Sequence, residues 1–391
     1  MKYLLSQKKI LIIAISVAML LSLGRLIKSN FDSSWFIVAG SDYVDPAKTP
    51  LPIIVQPGQG YDGQFFYRYA LNPFDFNNTL YGIKVDHPPY RVQRIAYPFL
   101  AWLLSCCGNP HLVPWAMLFL NIAAFTGIFF YTNKFIAFVN GDIKQGLFPL
   151  FLCGIYMSLS RDLSEVVELF FFTGSIYYLF ISNYFWLLVF ATFTVLSRET
   201  SVIALFPLVT CLFFRGFKKG NKVPSIFYLA LPFLVFAVWK LIIFNHMPSL
   251  AESTAGYKSI GAPFKGIMQG FQENFNLSGN KNILQFLFWI AYFSWTIFLV
   301  FIVLRNISFK TLSKLGNLDI LKIIYLVWLI FAVCFSNTIY CDDWGFVRIF
   351  SLWSMVGFLI IIAGKKQTGW LFNSFSVLLT LLTIIRLMIR V

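Results

Sequence analysis

The ionisable residues of this sequence gather in a few short segments. One is Gly60-Tyr61-Asp62-Gly63-Gln64-Phe65-Phe66-Tyr67-Arg68, and a second is Asp86-His87-Pro88-Pro89-Tyr90-Arg91-Val92-Gln93-Arg94. A third holds Arg161, Asp162, Glu165 and Glu168, and a fourth is Arg198-Glu199-Thr200. The fifth is Cys341-Asp342-Asp343-Trp344-Gly345-Phe346-Val347-Arg348. Arginine presents a planar fork of donors that matches phosphate oxygens. A carboxylate standing near it can take a proton from a hydroxyl. Asp62 is therefore a candidate for catalysis, and Arg91 and Arg94 for phosphate binding.

Every one of these segments also has a purely structural reading. Asp62 could cap a turn before Gly63. Arg91 and Arg94, three apart, could anchor an interfacial helix at lipid headgroups. Asp162, Glu165 and Glu168 suit a helix N-terminus, and Arg198 with Glu199 could pair structurally with those acids. Asp342 and Asp343 could cap a loop. His87 and His246 stand alone, so no metal is assigned; a divalent metal has no ligand spacing to support it. No GxxxxGK[ST] loop is present for a nucleotide.

The elements that position these residues are set by composition. Of 391 residues, 58% are hydrophobic and only 12% charged, against about 25% charged in a soluble domain. Mean hydropathy is +0.73. A soluble enzyme, a disordered chain and a disulfide scaffold are excluded. The expected fold is all-α: a polytopic membrane helical bundle, one domain over 1–391. The net charge of +15 fits topology and anionic headgroups, with no nucleic-acid partner. The six cysteines lie mostly in apolar runs, without CxxC or zinc spacing.

Spanning character appears at 9–27, 113–132, 146–160, 163–181, 184–197, 200–214, 225–245, 283–304, 320–340, 348–363 and 370–389, which is about eleven helices (10–12). The first is read as a retained span, since no small-residue cleavage site follows it. The run Ile95–Cys107 is too short to span and is expected at the interface. The compact basic clusters are Lys134 with Lys144; Arg215, Lys218, Lys219 and Lys222; Arg305, Lys310 and Lys314; and Lys365 with Lys366. All then fall on the cytoplasmic side with Lys8 and Lys9. Residues 28–112 become a long first extracytoplasmic loop with interfacial helices, and 246–282 a second. Arg386 and Arg390 fit this arrangement poorly. All five polar segments reach the outer face, so one polar chamber is expected there, lined by Asp62, Arg94, Asp162, Glu165, Arg198 and Glu199.

The first span, the long external loop with its Asp, and His87-Pro88-Pro89 together resemble the GT-C superfamily of integral membrane glycosyltransferases. More narrowly, Tyr61–Arg68, Tyr90–Pro98, Ser160–Glu165 and Ser197–Thr200 look like a bacterial GT-C-like membrane protein family, over residues 55 to 350. The resemblance implies transfer of a sugar from a polyprenyl-phosphate donor to a glycan, lipid or protein acceptor outside a bacterial inner membrane, with inversion. It implies Asp62 as general base. Arg91 and Arg94 would hold the phosphate, with Arg198 or Arg348 as a second contact, and Gln64, Asp86, His87, Asp162, Glu165, Glu199 and Asp342 would shape the site. Many members pair two acids in the first loop; here Asp62 stands alone and Asp86 is distant. The competing expectations are a transporter or flippase of a lipid-linked or anionic substrate, and a non-catalytic envelope assembly subunit. No repeat of the kind transporters carry is visible.

Overall fold

Long apolar runs without a breaker close their backbone hydrogen bonds internally, and here they form helices. A computed structural model describes residues 2–219, 226–247, 259–275, 280–308, 316–341 and 343–389. The helices in chain order are α1 (Lys2–Lys28), α2 (Gly63–Leu71), α3 (Pro88–Val92), α4 (Ala96–Leu104), α5 (Val113–Val139) and α6 (Cys153–Ser160). Next come α7 (Glu165–Phe180), α8 (Tyr184–Ser197), α9 (Val202–Lys219), α10 (Ile226–Leu229), α11 (Leu231–His246) and α12 (Lys265–Asn274). The last are α13 (Asn280–Arg305), α14 (Asn317–Cys334), α15 (Asn337–Tyr340), α16 (Asp343–Ala363) and α17 (Trp370–Ile389).

Among the described residues, 6 helices are long and apolar enough to cross a bilayer: Ser6–Lys28, Val113–Val139, Asn282–Arg305, Asn317–Cys334, Trp344–Ala363 and Trp370–Ile389. The protein is thus an all-α, multi-pass membrane protein. Of the other apolar runs, 200–214 lies mostly in the 18-residue α9, whose last turns carry Arg215, Lys218 and Lys219, and the rest make shorter elements. The run 146–160 is divided between a 3-10 helix, Ile143–Phe151, and the eight-residue α6. Pro149 lies inside the 3-10 helix and has no N–H for a regular α ladder. The Ile95 run yields only the 9 residues of α4, about 14 Å of helix against a hydrocarbon core of about 30 Å. Residues 248–258 and 276–279 of the expected second loop lie outside the described residues.

The first loop carries two small sheets, with Ala39–Gly40 parallel to Val55–Gln56 and Thr79–Leu80 antiparallel to Ile83–Lys84. Helix α7 packs between α5 and α8, and α16 packs on α6, α13 and α14. Gly154 permits the α6–α16 approach: a Cβ there would lie 2.2 Å from the Ser351 hydroxyl and 2.7 Å from the Val347 carbonyl. That close approach seats the Arg348 backbone beside the first turn of α6.

Side-chain ties define the two ends of the bundle. The Gln7 amide donates to the Asn133 carbonyl at 3.3 Å, and the Gln145 amide to the Lys366 carbonyl at 2.6 Å. Asn317 donates to the Leu179 carbonyl at 3.2 Å, and Arg215 to Asn317 at 2.6 Å. The C-terminal ends of α5, α9 and α16, beside these basic segments, and that of α7, tied to Arg215 through Asn317, lie away from the ends where Asp62, Glu165, Arg198 and Arg348 meet. Arg25 and Arg386 lie toward the latter end. Arg25 donates to the Leu387 carbonyl at 3.5 Å, and Arg386 stacks on Trp344 at 4.2 Å and Phe288 at 4.7 Å. Aromatic faces thus hold the Arg386 charge at that end. Arg390 lies outside the described residues.

Candidate functional site

Asp62 immediately precedes α2 but makes no side-chain capping bond. The turn-cap reading is therefore set aside. Gly63 lets the start of α2 sit against the turn after α6; a Cβ there would lie 2.5 Å from the Arg161 carbonyl and 2.7 Å from the Ile37 carbonyl. Gln64 braces the same corner, accepting from the Gly40 N–H at 3.0 Å and donating to the Gln59 carbonyl at 2.9 Å. With the backbone so fixed, the Asp62 carboxylate faces two guanidiniums. Oδ1 is 3.0 Å from Arg91 and Oδ2 is 3.2 Å from Arg348.

The ion pairs extend outward from Asp62. Arg91 binds Asp86 through two donors at 2.8 and 2.6 Å, and Arg94 binds Glu199 likewise at 2.8 and 2.6 Å. Arg198 donates to Glu165 at 2.7 Å, and Arg348 lies 3.5 Å from the same oxygen. The second Glu165 oxygen accepts from Ser158 at 3.0 Å. Tyr61 and Tyr90 supply aromatic faces: Arg161 and Arg348 lie over Tyr61 at 4.7 and 5.1 Å, while Arg94 and Arg91 lie over Tyr90 at 4.4 and 5.3 Å. Such stacking holds a guanidinium flat without using its in-plane donors.

A cavity of about 360 Å³ opens onto this network, within the range of about 300–1,000 Å³ found for small-molecule sites. Asp62, Gln64, Asp86, Arg91, Arg94, Arg198, Glu199 and Arg348 all line it. The sequence thus names eight lining residues, drawn from four separated segments. Glu165 stands behind the wall, paired with Arg198 and Arg348. His87 is the residue before α3 and does not line the cavity. Asp342 lies outside the described residues. Asp162 departs from the expectation: it is fully buried in the turn between α6 and α7, with the Tyr97 hydroxyl 3.5 Å from Oδ1, and it does not line the cavity. Its φ of +49° turns the carboxylate toward α4 and α5, where Tyr97 and Asn121 face it and bulk water does not reach.

Burial alone would push the Asp62 carboxyl up, but the Arg91, Arg348 and Arg94 guanidiniums outweigh it and hold it well below the usual carboxylate range. Burial opposes ionisation of Glu199 too, and Arg94 overcomes it, leaving a value of about 2. Asp162 has no such neighbour of sufficient strength. Burial pushes it up to about 8, against smaller effects of Asn121, Arg25 and Tyr97. At neutral pH Asp62 and Glu199 are therefore ionised, while Asp162 is largely protonated.

Sequence reasoning missed the aromatic partners and one whole wall. Tyr61 and Tyr90 directly precede Asp62 and Arg91, an adjacency that could have marked them. The wall formed by Ser259, Phe335, Thr338 and Ile339 depends on a bridge between Ile260 and Phe335, which no local pattern announces. Among the described residues, no group of three His, Cys, Asp or Glu side chains could hold a metal ion. Compared with known proteins, the chain matches no family model, no curated protein and no solved structure.

Proposed function

We propose that the chain is an inverting glycosyltransferase of the membrane, moving a sugar from a polyprenyl-phosphate-linked donor to an extracytoplasmic glycan, lipid or protein. The observation that carries this reading is the placement of Asp62 in a cavity between Arg91 and Arg348, with Arg94 and Arg198 on the same wall. The cavity combines what such a reaction needs: an ionised carboxylate, and guanidiniums from separate segments that can close on a phosphate.

The geometry also refines the mechanism. As arranged, Asp62 is a weak base, because both of its oxygens are held by guanidiniums. An arriving donor phosphate competes for Arg91 and Arg348, and each contact it takes raises the basicity of Asp62. Asp62 then removes the acceptor hydroxyl proton while the acceptor oxygen bonds to the anomeric carbon. The bond from that carbon to the phosphate oxygen breaks, and its electron pair leaves on the lipid phosphate. The leaving group is already an anion, so no general acid is required.

We further propose eleven crossings in a bacterial inner membrane, with α6 to α11 supplying the shorter ones and the cavity facing outward. The alternation of helix ends supports this count, as does the gathering of basic segments away from the cavity. Reconstitution of the full chain in liposomes with a labelled polyprenyl-phosphate sugar tests the function. Sugar transfer with release of lipid phosphate, abolished in Asp62→Asn, is expected. Movement of the lipid across the bilayer without release of sugar would instead favour a flippase.

A further inference from the structure

At the end of the bundle away from Asp62, a groove of about 580 Å³ lies between the last turn of α13 and the segment that enters α17. Its lining is of two kinds. Among the described residues, Arg305 and Lys366 are its charged side chains, and no carboxylate lines it. Beside them stand Phe301, Trp370 and Leu371, exposed by 61%, 74% and 57%. Among the described residues, nothing covers this apolar wall. Lys366 is fixed relative to the rest of the bundle, since its carbonyl accepts from Gln145 at 2.6 Å. Helix α17 begins at the groove, so its first N–H groups, which no helix satisfies internally, add positive potential there.

We propose that this groove binds one anionic phospholipid, its phosphate between Arg305 and Lys366 and an acyl chain along Phe301 and Leu371. Charge complementarity selects the headgroup. A zwitterionic choline head would bring an ammonium to a groove whose described lining holds two cations and no carboxylate. Phe301 and Leu371 belong to the membrane-crossing helices α13 and α17, so an acyl chain lying along them carries its own phosphate to the two cations, whereas a soluble phosphate has no such wall to guide it. Trp370 has the exposed amphipathic ring that favours the depth of lipid headgroups. The groove is separate from the Asp62 cavity, and the inference does not depend on transfer chemistry there.

Native mass spectrometry of the full chain in detergent, with equimolar phosphatidylglycerol and phosphatidylcholine, tests it. One phosphatidylglycerol should be retained in preference. The double variant Arg305→Gln, Lys366→Gln should lose that preference by roughly thirtyfold, given two near-surface basic contacts. Both side chains are exposed, so the variant is expected to fold, with circular dichroism as the check; Lys366→Gln alone carries the same test at roughly fivefold. Equal retention of the two lipids would overturn the proposal. So would an unchanged preference in the folded variants, or displacement of the bound lipid by millimolar glycerol phosphate, which would mark a soluble-anion site.

Discussion

Asp62 and Arg348, 286 residues apart in the chain, meet at 3.2 Å in the wall of the cavity. One residue comes from the first loop and the other from a membrane helix, so their pair ties the loop to the bundle. The contact also sets how basic Asp62 is. Arg348→Gln should raise the Asp62 pKa, because it removes a neighbouring positive charge that favours the carboxylate. The acid limb of kcat/KM, which reports the free enzyme, should move up by about one to two pH units, and the KM for donor should rise. Glu165 keeps Arg198 at 2.7 Å, so the variant retains a paired acid behind the wall. An acid limb that stays in place would show that Asp62 is not the titrating base.

Asp62→Asn keeps the size of the side chain but removes its basicity. Transfer should slow by roughly 10²–10⁴-fold, with donor KM equal to or below wild type, because asparagine competes less with the phosphate for Arg91 and Arg348. Arg91 keeps its two bonds to Asp86, so its position should hold. Single-turnover transfer in detergent measures the step. Transfer at the wild-type rate would move the base to Asp86 or Glu199, the other acids of the cavity.

Glu199 links acid sensitivity to the wall. Its native value of about 2 lies below the ordinary 4.5. A depressed carboxylate contributes stability that is full above its unfolded value and lost as pH falls through the native one. Thermal unfolding temperature should therefore drop between about pH 4.5 and pH 2. Glu199→Gln should flatten that dependence. It should also cost about 3–5 kcal/mol at pH 7, because buried Arg94 loses its bidentate carboxylate. Melting curves across pH in one detergent measure both effects.

Membrane sidedness follows from the two ends of the bundle. Lys84 and Lys144 are both exposed; one lies in the first loop and the other in the segment tied to Lys366. With Cys106 and Cys107 replaced by serine, Lys84→Cys should label from outside intact cells, and Lys144→Cys only after permeabilisation. Labelling of both from the same side would overturn the proposed crossings.

The sequence shows most of the cavity because its charges are too costly to face lipid. Five isolated polar segments in an apolar chain were expected to converge; four line the cavity through Asp62, Arg91, Arg198 and Arg348, and Glu165 of the remaining one pairs with Arg198 and Arg348 behind the wall. The pairing within the cluster was not legible. Nothing in the spacing says that Arg94 takes Glu199 while Arg198 takes Glu165. Hydropathy also overstates the regularity of helices, as in 146–160, where total apolarity conceals the break near Pro149. Asp162 was misplaced for a related reason. Its neighbours in sequence reach the cavity region, but a left-handed backbone at one residue turns its side chain the other way.

Asp162 gives the last prediction, and its sign is opposite to that of Glu199. Burial raises its carboxyl to about 8 from an ordinary 3.8. The folded state thus holds a proton that the unfolded state releases. The associated stability is full below the unfolded value and is lost as pH rises toward the native one. Asp162→Asn removes the ionisation, and asparagine tolerates the positive φ better than most residues. The variant should match or exceed wild type in unfolding temperature, with a margin that widens from pH 5 to pH 8. Transfer should be retained, because Asp162 does not line the cavity. A margin that is constant with pH would show that Asp162 does not titrate as its burial dictates. Loss of transfer in a variant of undiminished stability would instead return Asp162 to the site.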